Sequence, residues 1–358
     1  MKLTLKTVVL QELVSKAVKG ASQNKLLPLT SMMSIRMQNK KLTLTTTDAS
    51  NYLYIIQNDV TGEDFDVTVQ VETFSKLISK MTSENVTLEC DETTLTVRGN
   101  GTYKIELPFD ENGATIQYPN PLADVTLDVK PVEISLATIK TVLNTNKAAL
   151  SVDDPTYANY YIGDKVVSTN KDTICKLDAK LFDEPMLLSP ETVDLLGVMT
   201  TEKINVTVLD DVIIFVTDNC VVYGHKVDEL ENFAIEPITE LLDEKFKSVC
   251  KIHKDAMLSV LDRIGLFVGT YDNNAITLTF AKEGIDISSK QSDGVETLAY
   301  VESKNFKAYT CPINIELLAQ QLKANSADVI ELQYGNDRSI KLVDGAVTQV
   351  VALLEEAE

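Results

Sequence analysis

One amphipathic helix followed by two hairpins occurs three times in this chain, at intervals of about 120 residues. The helices are predicted around residues 74–81, 193–199 and 315–322. After each helix come three short runs rich in Val, Ile and Thr, and Gly, Asn and Asp occupy the turns between them, as is typical of hairpins. Because a fixed period of this kind defines one structural unit, the sequence predicts three copies of a single module.

Each module is also expected to begin with an earlier amphipathic helix, at about residues 10–21, 135–147 and 254–267. The predicted fold class is therefore α+β, with three repeated modules in which two helices pack on antiparallel sheets. Composition changes near residues 114–128 and 228–247 indicate two connectors. They divide the chain into modules at 1–120, 126–242 and 246–358, which we expect to join edge to edge.

The composition indicates a cytoplasmic protein. Hydrophobic residues make up 44% of the 358 residues, which is sufficient for ordinary cores, and no apolar run reaches the roughly 18 residues of a membrane span. The first residues alternate like a strand rather than forming the apolar stretch of a signal peptide. The five cysteines are scattered and odd in number, which favours reduced thiols over disulfides or a zinc site.

The residues give little indication of an enzyme. There are two histidines, His225 and His253, and neither belongs to a triad or a metal-binding spacing. The Gly-Asn-Gly segment at residues 99–101 joins two strands, which favours a hairpin turn over a phosphate loop, and no P-loop motif is present. We therefore expect a non-catalytic protein without a cofactor or bound metal.

The charge distribution leaves two interpretations open. The net charge is −20, from 33 basic and 53 acidic residues, whereas proteins that hold DNA through phosphate contacts are usually basic. The predicted helices nevertheless place basic residues on their outward faces, interspersed with acidic ones. These faces are either ordinary solvated surfaces or the lining of a concave layer that surrounds a polyanion loosely. The basic residues are Lys16, Lys19, Lys76, Lys80, Lys140, Lys147, Arg263 and Lys323.

Two segments carry a specific family resemblance. Residues 26–31 read Leu-Leu-Pro-Leu-Thr-Ser and residues 41–48 read Lys-Leu-Thr-Leu-Thr-Thr-Thr-Asp. Together with the Tyr160-Tyr161 pair and the Phe-Ala-Ile-Glu-Pro segment at 233–237, they resemble the bacterial sliding clamp, the beta subunit of DNA polymerase III. The threefold repeat and the acidic charge extend the resemblance over the whole chain, and the departures from the family pattern suggest a divergent or phage-encoded member.

The resemblance implies a head-to-tail homodimer that closes into a ring around duplex DNA and slides without sequence specificity. Such a ring tethers the replicative polymerase in the bacterial cytoplasm, at the nucleoid, and is loaded by a separate clamp-loader ATPase. By resemblance, Asn24, Lys25, Tyr160 and Tyr161 contact DNA beside the basic helix faces, and Ile105 and Ile276 lie near the edges that close the ring.

The resemblance also implies a groove between the second and third modules that captures short peptides of partner proteins. Its expected wall is formed by Thr169, Lys171, Thr173, Ile174, Pro237, Leu241, Ile340, Val351 and Leu353. Residues 169–174 and the acidic end of the chain depart from the family pattern, which predicts an altered partner preference. The alternatives are a clamp-like scaffold that binds proteins without encircling DNA and an α+β hydrolase, which lacks a recognisable reactive cluster here.

Overall fold

The computed structural model describes residues 1–24, 26–125, 130–289 and 294–355. Seven α-helices lie within these ranges, and several continue into a short 3₁₀ turn. The helices are α1 (Thr7–Ala17), α2 (Val71–Ser79), α3 (Leu136–Thr145), α4 (Pro190–Leu196), α5 (Ile235–Asp243), α6 (Lys254–Ile264) and α7 (Ile315–Ala324).

The strands of the described residues are short and pair in antiparallel fashion. The strands of the first half are β1 (Lys2–Lys6), β2 (Met32–Gln38), β3 (Lys41–Thr47), β4 (Tyr52–Gln57), β5 (Phe65–Gln70), β6 (Asn85–Cys90), β7 (Thr94–Arg98), β8 (Thr102–Glu106), β9 (Val132–Ser135), β10 (Tyr160–Ile162), β11 (Val166–Thr169) and β12 (Thr173–Leu177). Those of the second half are β13 (Met186–Leu188), β14 (Lys203–Val208), β15 (Val212–Val216), β16 (Cys220–His225), β17 (Ser248–His253), β18 (Ala275–Phe280), β19 (Gly284–Ser289), β20 (Val295–Ala299), β21 (Glu302–Lys304), β22 (Tyr309–Asn314), β23 (Val329–Tyr334), β24 (Ser339–Asp344) and β25 (Val347–Ala352).

The chain forms two compact units, and the first consists of Met1–Ile139 and Glu191–Lys226. It holds a four-stranded sheet with the order β1-β6-β7-β8 and an eight-stranded sheet with the order β5-β2-β3-β4-β16-β15-β14-β9. Within the larger sheet β4 of the first repeat pairs with β16 of the second, so two repeats share one continuous sheet. Strand β8 pairs with β7 alone among the described strands and therefore forms a sheet edge.

The second unit consists of Lys140–Pro190 and Val227–Glu358. Its nine-stranded sheet has the order β13-β10-β11-β12-β25-β24-β23-β17-β21, and its four-stranded sheet has the order β20-β19-β18-β22. Here β12 of the second repeat pairs with β25 of the third, which repeats the edge-to-edge joint found in the first unit. In the smaller sheet, β20 is an edge strand paired with β19 among the described strands.

The α+β fold predicted from the sequence is confirmed, and each repeat contains its three predicted hairpin strands. The third set, for example, is β23, β24 and β25, and Gly345 occupies its last turn with a φ of 57°. Such left-handed backbone favours glycine because it has no Cβ atom to clash. The two compact units do not follow the predicted limits of 1–120, 126–242 and 246–358, so this threefold division remains a prediction.

The spacing of apolar residues and the capping side chains explain where the helices form. In α1, Leu10, Leu13, Val14 and Ala17 recur at helical spacing and are buried, while Lys16 between them is partly exposed. At the start of α7, the side chain of Asn314 accepts hydrogen bonds from the backbone N–H groups of Glu316 and Leu317 at 2.9 and 3.1 Å. This side-chain cap fixes where the helix begins.

Candidate nucleic-acid and partner interfaces

The helices of the first unit present basic side chains that are partly neutralised by their neighbours. The Lys16 ammonium lies 2.7 Å from the Glu12 carboxylate, and Lys76 pairs in the same way with Glu72 one helical turn earlier. The Lys76 hydrogen bond holds the pKa of the Glu72 carboxyl below its usual value. These pairs are exposed, so they contribute little to stability and weaken further in salt.

Two other cations of this unit keep their charge uncompensated. Lys19 follows α1 and Lys80 follows α2; both are exposed, and neither forms an ion pair with another described residue. Asn24 lies on the nearby loop, where its side-chain oxygen accepts a hydrogen bond from the Leu26 N–H at 3.0 Å. Asn24 and Lys76 line one cavity of about 620 Å³, and Lys25 lies outside the described residues.

The predicted DNA-facing residues of the second unit have more diverse surroundings. Lys140, Lys147 and Lys323 are exposed, and Lys323 lines a cavity of about 590 Å³ between α6 and α7. The guanidinium of Arg263, in the last turn of α6, makes hydrogen bonds of 2.6 to 3.1 Å with the carboxylate of Glu296 on β20. This ion pair ties α6 to the edge strand and neutralises the charge of Arg263.

The two predicted DNA-contacting tyrosines lie inside the protein. Tyr160 is fully buried, and Tyr161 is 8% exposed and stacks on Phe233 with ring centroids 5.4 Å apart. Burial also raises the pKa of the Tyr161 hydroxyl. In this structure both rings belong to the packing of the second unit, so neither presents a surface that DNA can reach.

The residues predicted for the partner groove fall on the two faces of the nine-stranded sheet. Directly opposed residues on neighbouring strands point to the same face. One cross-strand row is Thr173, Val351 and Ile340, and the next is Ile174, Val350 and Lys341. Because side chains alternate along a strand, these two rows face in opposite directions.

The second row faces helix α5 and defines an apolar surface. Ile174 and Val350 form a cluster with Ile238 and Leu242 of α5, and Leu241 packs against it. Pro237, in the first turn of the same helix, is exposed. This set, Ile174, Val350, Pro237 and Leu241, is called the α5 groove below.

The first row faces the core of the third repeat. Val351 and Ile340 are fully buried in that core, where Leu353 packs against them. Thr173 is also buried, and its hydroxyl lies 3.4 Å from the side-chain nitrogen of Gln321. These four predicted groove residues are therefore placed away from the α5 groove.

Of the remaining two predicted groove residues, Thr169 ends β11 and Lys171 lies in the turn that leads to β12. Thr169 is buried, and its hydroxyl donates a hydrogen bond to the Thr173 carbonyl oxygen at 2.8 Å. Lys171 is exposed, lies 2.7 Å from the Asp154 carboxylate, and has its ammonium 5.7 Å from the centre of the Tyr157 ring. The Asp154 hydrogen bond raises the pKa of Lys171, so the lysine is charged at neutral pH.

Exposed apolar residues mark two sheet edges that the sequence did not single out. Tyr103 on β8 is 41% exposed. In the second unit Leu266 and Phe267, in the 3₁₀ turn directly after α6, are 80% and 52% exposed, and Val295 on β20 is 60% exposed. Ile105 lies on β8 and is nearly buried, whereas Ile276 is fully buried on β18, an interior strand.

The described residues contain neither a candidate membrane-spanning helix nor a candidate metal-binding cluster. No helix among them is long and apolar enough to cross a membrane. In the same part of the chain, no group of three or more His, Cys, Asp and Glu side chains is arranged to hold a metal ion.

Comparison with known proteins identifies the fold. Over its whole length the chain is similar to the DNA polymerase sliding clamp of Bacillus subtilis, with a TM-score of 0.83, 16% identity and 100% of both chains covered. The beta subunit from DNA polymerase of Streptococcus pyogenes gives a TM-score of 0.84 and 15% identity over 99% of this chain and 100% of the other. The Pseudomonas aeruginosa sliding clamp gives 0.83 and 14% over 99% of each. The protein therefore has the fold of the bacterial DNA sliding clamps.

The sequence match is more local than the structural one. Residues 1–120 match the family model of the N-terminal domain of the DNA polymerase III beta subunit. The resemblance inferred from the sequence is thus confirmed. A search of curated proteins finds no match to the chain.

Proposed function

We propose that the protein is a DNA polymerase processivity factor, a homodimeric ring that encircles duplex DNA and tethers the replicative polymerase. The observation that carries this proposal is the full-length likeness to sliding clamps, which covers all three repeats. The three modules at 1–120, 126–242 and 246–358 are its proposed building blocks. In this role it is a non-catalytic accessory subunit working in the bacterial cytoplasm.

The net charge of −20 supports topological rather than contact-driven DNA binding. Tight phosphate binding requires a basic surface, because the release of counterions supplies the affinity. Here two helix lysines, Lys16 and Lys76, are already paired with carboxylates one turn away. A ring that surrounds DNA needs no tight contacts, and weak contacts from Lys19, Lys80, Lys140 and Lys323 let it slide without reading bases.

The proposed ring closes through the two exposed sheet edges. An open edge strand presents unpaired backbone groups and is a template for pairing with another chain. Strand β8 offers such an edge with Tyr103 and Ile105, and strand β20 offers another. Leu266 and Phe267 directly follow α6, which the ion pair between Arg263 and Glu296 ties to β20. Pairing β8 of one copy with β20 of the next is a head-to-tail contact, which generates a closed ring when the rotation permits. Since Ile276 is buried, we propose Leu266 and Phe267 as the apolar anchors of this contact.

Partner proteins are proposed to bind the α5 groove. Pro237 and Leu241 are its accessible apolar residues, above a buried floor of Ile174 and Val350, and they suit the aliphatic or aromatic anchors of a short peptide. Lys171, fixed by Asp154, adds charge near one end of the neighbouring strand. The proposed occupants are segments of the polymerase and of a clamp-loader ATPase. Since the sequence contains no P-loop motif, we propose that this separate ATPase opens the ring.

The decisive experiment measures retention on DNA by gel filtration after loading with the cognate clamp loader and ATP. We expect the protein to remain on nicked circular plasmid and to be lost when the same plasmid is linearised. Equal retention on both forms would mean contact binding and would refute the topological account. A monomer by light scattering that binds partner peptides but is never retained on the circle would favour the alternative, a clamp-like scaffold.

A further inference from the structure

Lys341 is a buried lysine in the second unit to which the proposed function assigns no role. It lies on β24 and is 6% exposed, although charged side chains are rarely buried without a partner. No carboxylate of a described residue forms an ion pair with it. Its surroundings must therefore compensate the charge in another way.

The Lys341 ammonium is held by the C-terminal end of α5. Its Nζ atom donates hydrogen bonds to the backbone carbonyl oxygens of Leu242 at 2.7 Å and Glu244 at 2.9 Å. The same atom lies 4.9 Å from the centre of the Phe246 ring. The last carbonyls of a helix carry partial negative charge, so a cation here satisfies acceptors that have no partner within the helix.

A second contact fastens the same end of the helix. The side-chain nitrogen of Asn336 donates a hydrogen bond to the Glu244 carboxylate, and Arg338 lies 3.9 Å from the other carboxylate oxygen. Asn336 and Arg338 belong to the turn between β23 and β24. The residues that hold the end of α5 thus all come from one hairpin.

The position of Lys341 links this fastening to the α5 groove. Lys341 is directly opposite Val350, which is directly opposite Ile174, so the three side chains share one face of the sheet. The helix that Lys341 holds carries the other groove residues, Pro237 and Leu241. The distance between the two sides of the groove therefore depends on how firmly the end of α5 is attached.

From these contacts we infer that Lys341 is a positioning residue for partner binding, which holds the connector helix α5 at a fixed distance from Ile174 and Val350. The inference rests on the proposed function of the α5 groove. Lys341 touches no peptide in this account and acts through the carbonyl groups of Leu242 and Glu244. Burial lowers the pKa of its ammonium below the usual value, as does nearby Lys176.

The test compares three variants of the full chain. Lys341→Met keeps the apolar stem but removes every donor, and Lys341→Arg restores a cation that can reach the two carbonyls. Lys176→Met is the matched control, because Lys176 lies on β12, two strands from Lys341 in the same sheet, and pairs with Asp178 at 3.0 Å. Should Lys341→Met fail to fold, Lys341→Gln, which keeps a single polar head, is measured in its place.

Two readouts separate the inference from the proposed function. Hydrogen exchange measured by mass spectrometry reports on the backbone amides of residues 238–246. Fluorescence anisotropy reports the affinity for a fluorescein-labelled synthetic hexapeptide that ends in leucine, leucine and phenylalanine. For Lys341→Met we expect exchange about tenfold faster in this segment and peptide affinity about tenfold weaker, with both values recovered in Lys341→Arg and unchanged in Lys176→Met.

Unchanged exchange in Lys341→Met would overturn the inference. Faster exchange with unchanged peptide affinity would also overturn it, because the helix would then be fastened without any effect on the groove. If the wild-type protein itself bound no hexapeptide, the groove assignment and the role of Lys341 in binding would both fail, while the exchange data would still decide whether Lys341 holds the helix.

Discussion

Charged substitution of the apolar pair after α6 is expected to break the proposed ring. We consider the double variant Leu266→Lys with Phe267→Lys. Both side chains are largely exposed in the single chain, at 80% and 52%, so their replacement removes little internal packing. Surface substitutions of this kind usually change the free energy of unfolding by about 0.5 kcal/mol or less. The variant should therefore fold normally.

The expected effect on assembly follows from these exposures. Full burial of a leucine or phenylalanine side chain is worth about 1.5 to 3 kcal/mol. Most of Leu266 and about half of Phe267 remain to be buried, so each interface loses about 3 kcal/mol, before any cost of burying two ammonium groups. A head-to-tail ring of two subunits contains this interface twice. The dimer is then weakened by about 6 kcal/mol, or about 10⁴-fold in Kd.

Sedimentation velocity over a range of protein concentrations measures this change. Val152→Lys is the control, because Val152 is 95% exposed and lies in a bend of the segment between α3 and β10 rather than on an edge strand. We expect wild type and control to sediment as dimers and the double variant as a monomer with an unchanged circular dichroism spectrum. A double variant with the dimer affinity of wild type would refute the assignment of Leu266 and Phe267 to the ring-closing contact.

Three further predictions concern stability and chemistry. Asn314→Ala removes the cap of α7 and should lower the free energy of unfolding by about 1 kcal/mol, measured by urea titration with Asn144→Ala, at an exposed site, as control. Burial raises the pKa of the Cys175 thiol to about 12, and all five cysteines are buried, so Ellman's reagent at pH 8 should react slowly with native protein and with five thiols after unfolding; rapid native reaction would contradict this. Gln321→Leu should cost about 1 to 3 kcal/mol of stability, because the buried side-chain N–H group of Gln349 and the Ala148 carbonyl both lose Gln321 as a hydrogen-bond partner, and a cost near zero would contradict the described network.

The repeated hairpins could be predicted from the sequence because their determinants are local. Alternating side chains and turn residues specify strands such as β23 without reference to the rest of the chain. The limits of the helices depend on more than local pattern. Helix α2 begins at Val71, before the predicted start, because Val71 directly follows the alternating strand β5 and its hydrophobic side chain fits either pattern.

Helix α5 was missed because its sequence contains a proline and several acidic residues. The sequence predicts a connector over residues 228–247, which include α5, Ile235–Asp243. Pro237 lies in the first turn, where a missing N–H costs nothing because such groups have no partner within the helix. The apolar spacing of Ile238, Leu241 and Leu242 was the available signal, since these positions recur as they do on one face of a helix.

The face on which a strand residue lies depends on pairing that a single sequence does not give. Val350 and Val351 are consecutive, so alternation alone does not tell which of them faces α5; the register with Ile174 decides in favour of Val350. The burial of Lys341 is likewise not predicted by the sequence. In an alternating strand a lysine predicts a solvated position, yet here it meets the carbonyl end of a helix distant in sequence.

These departures from local rules coincide with the surfaces proposed to act. A sequence specifies its fold where propensity, pattern and packing agree, and functional sites are where they conflict. Leu266 and Phe267 continue the apolar character of α6 beyond its last buried turn and remain exposed, although exposure of two adjacent large apolar side chains is unfavourable for an isolated chain. Ile276, by contrast, obeys the alternation of β18 and is buried with it. The conflict at Leu266 and Phe267 is resolved if a second copy covers them. A charged substitution there therefore tests the assembly of the ring, whereas a charged substitution of Ile276 would test the stability of the core.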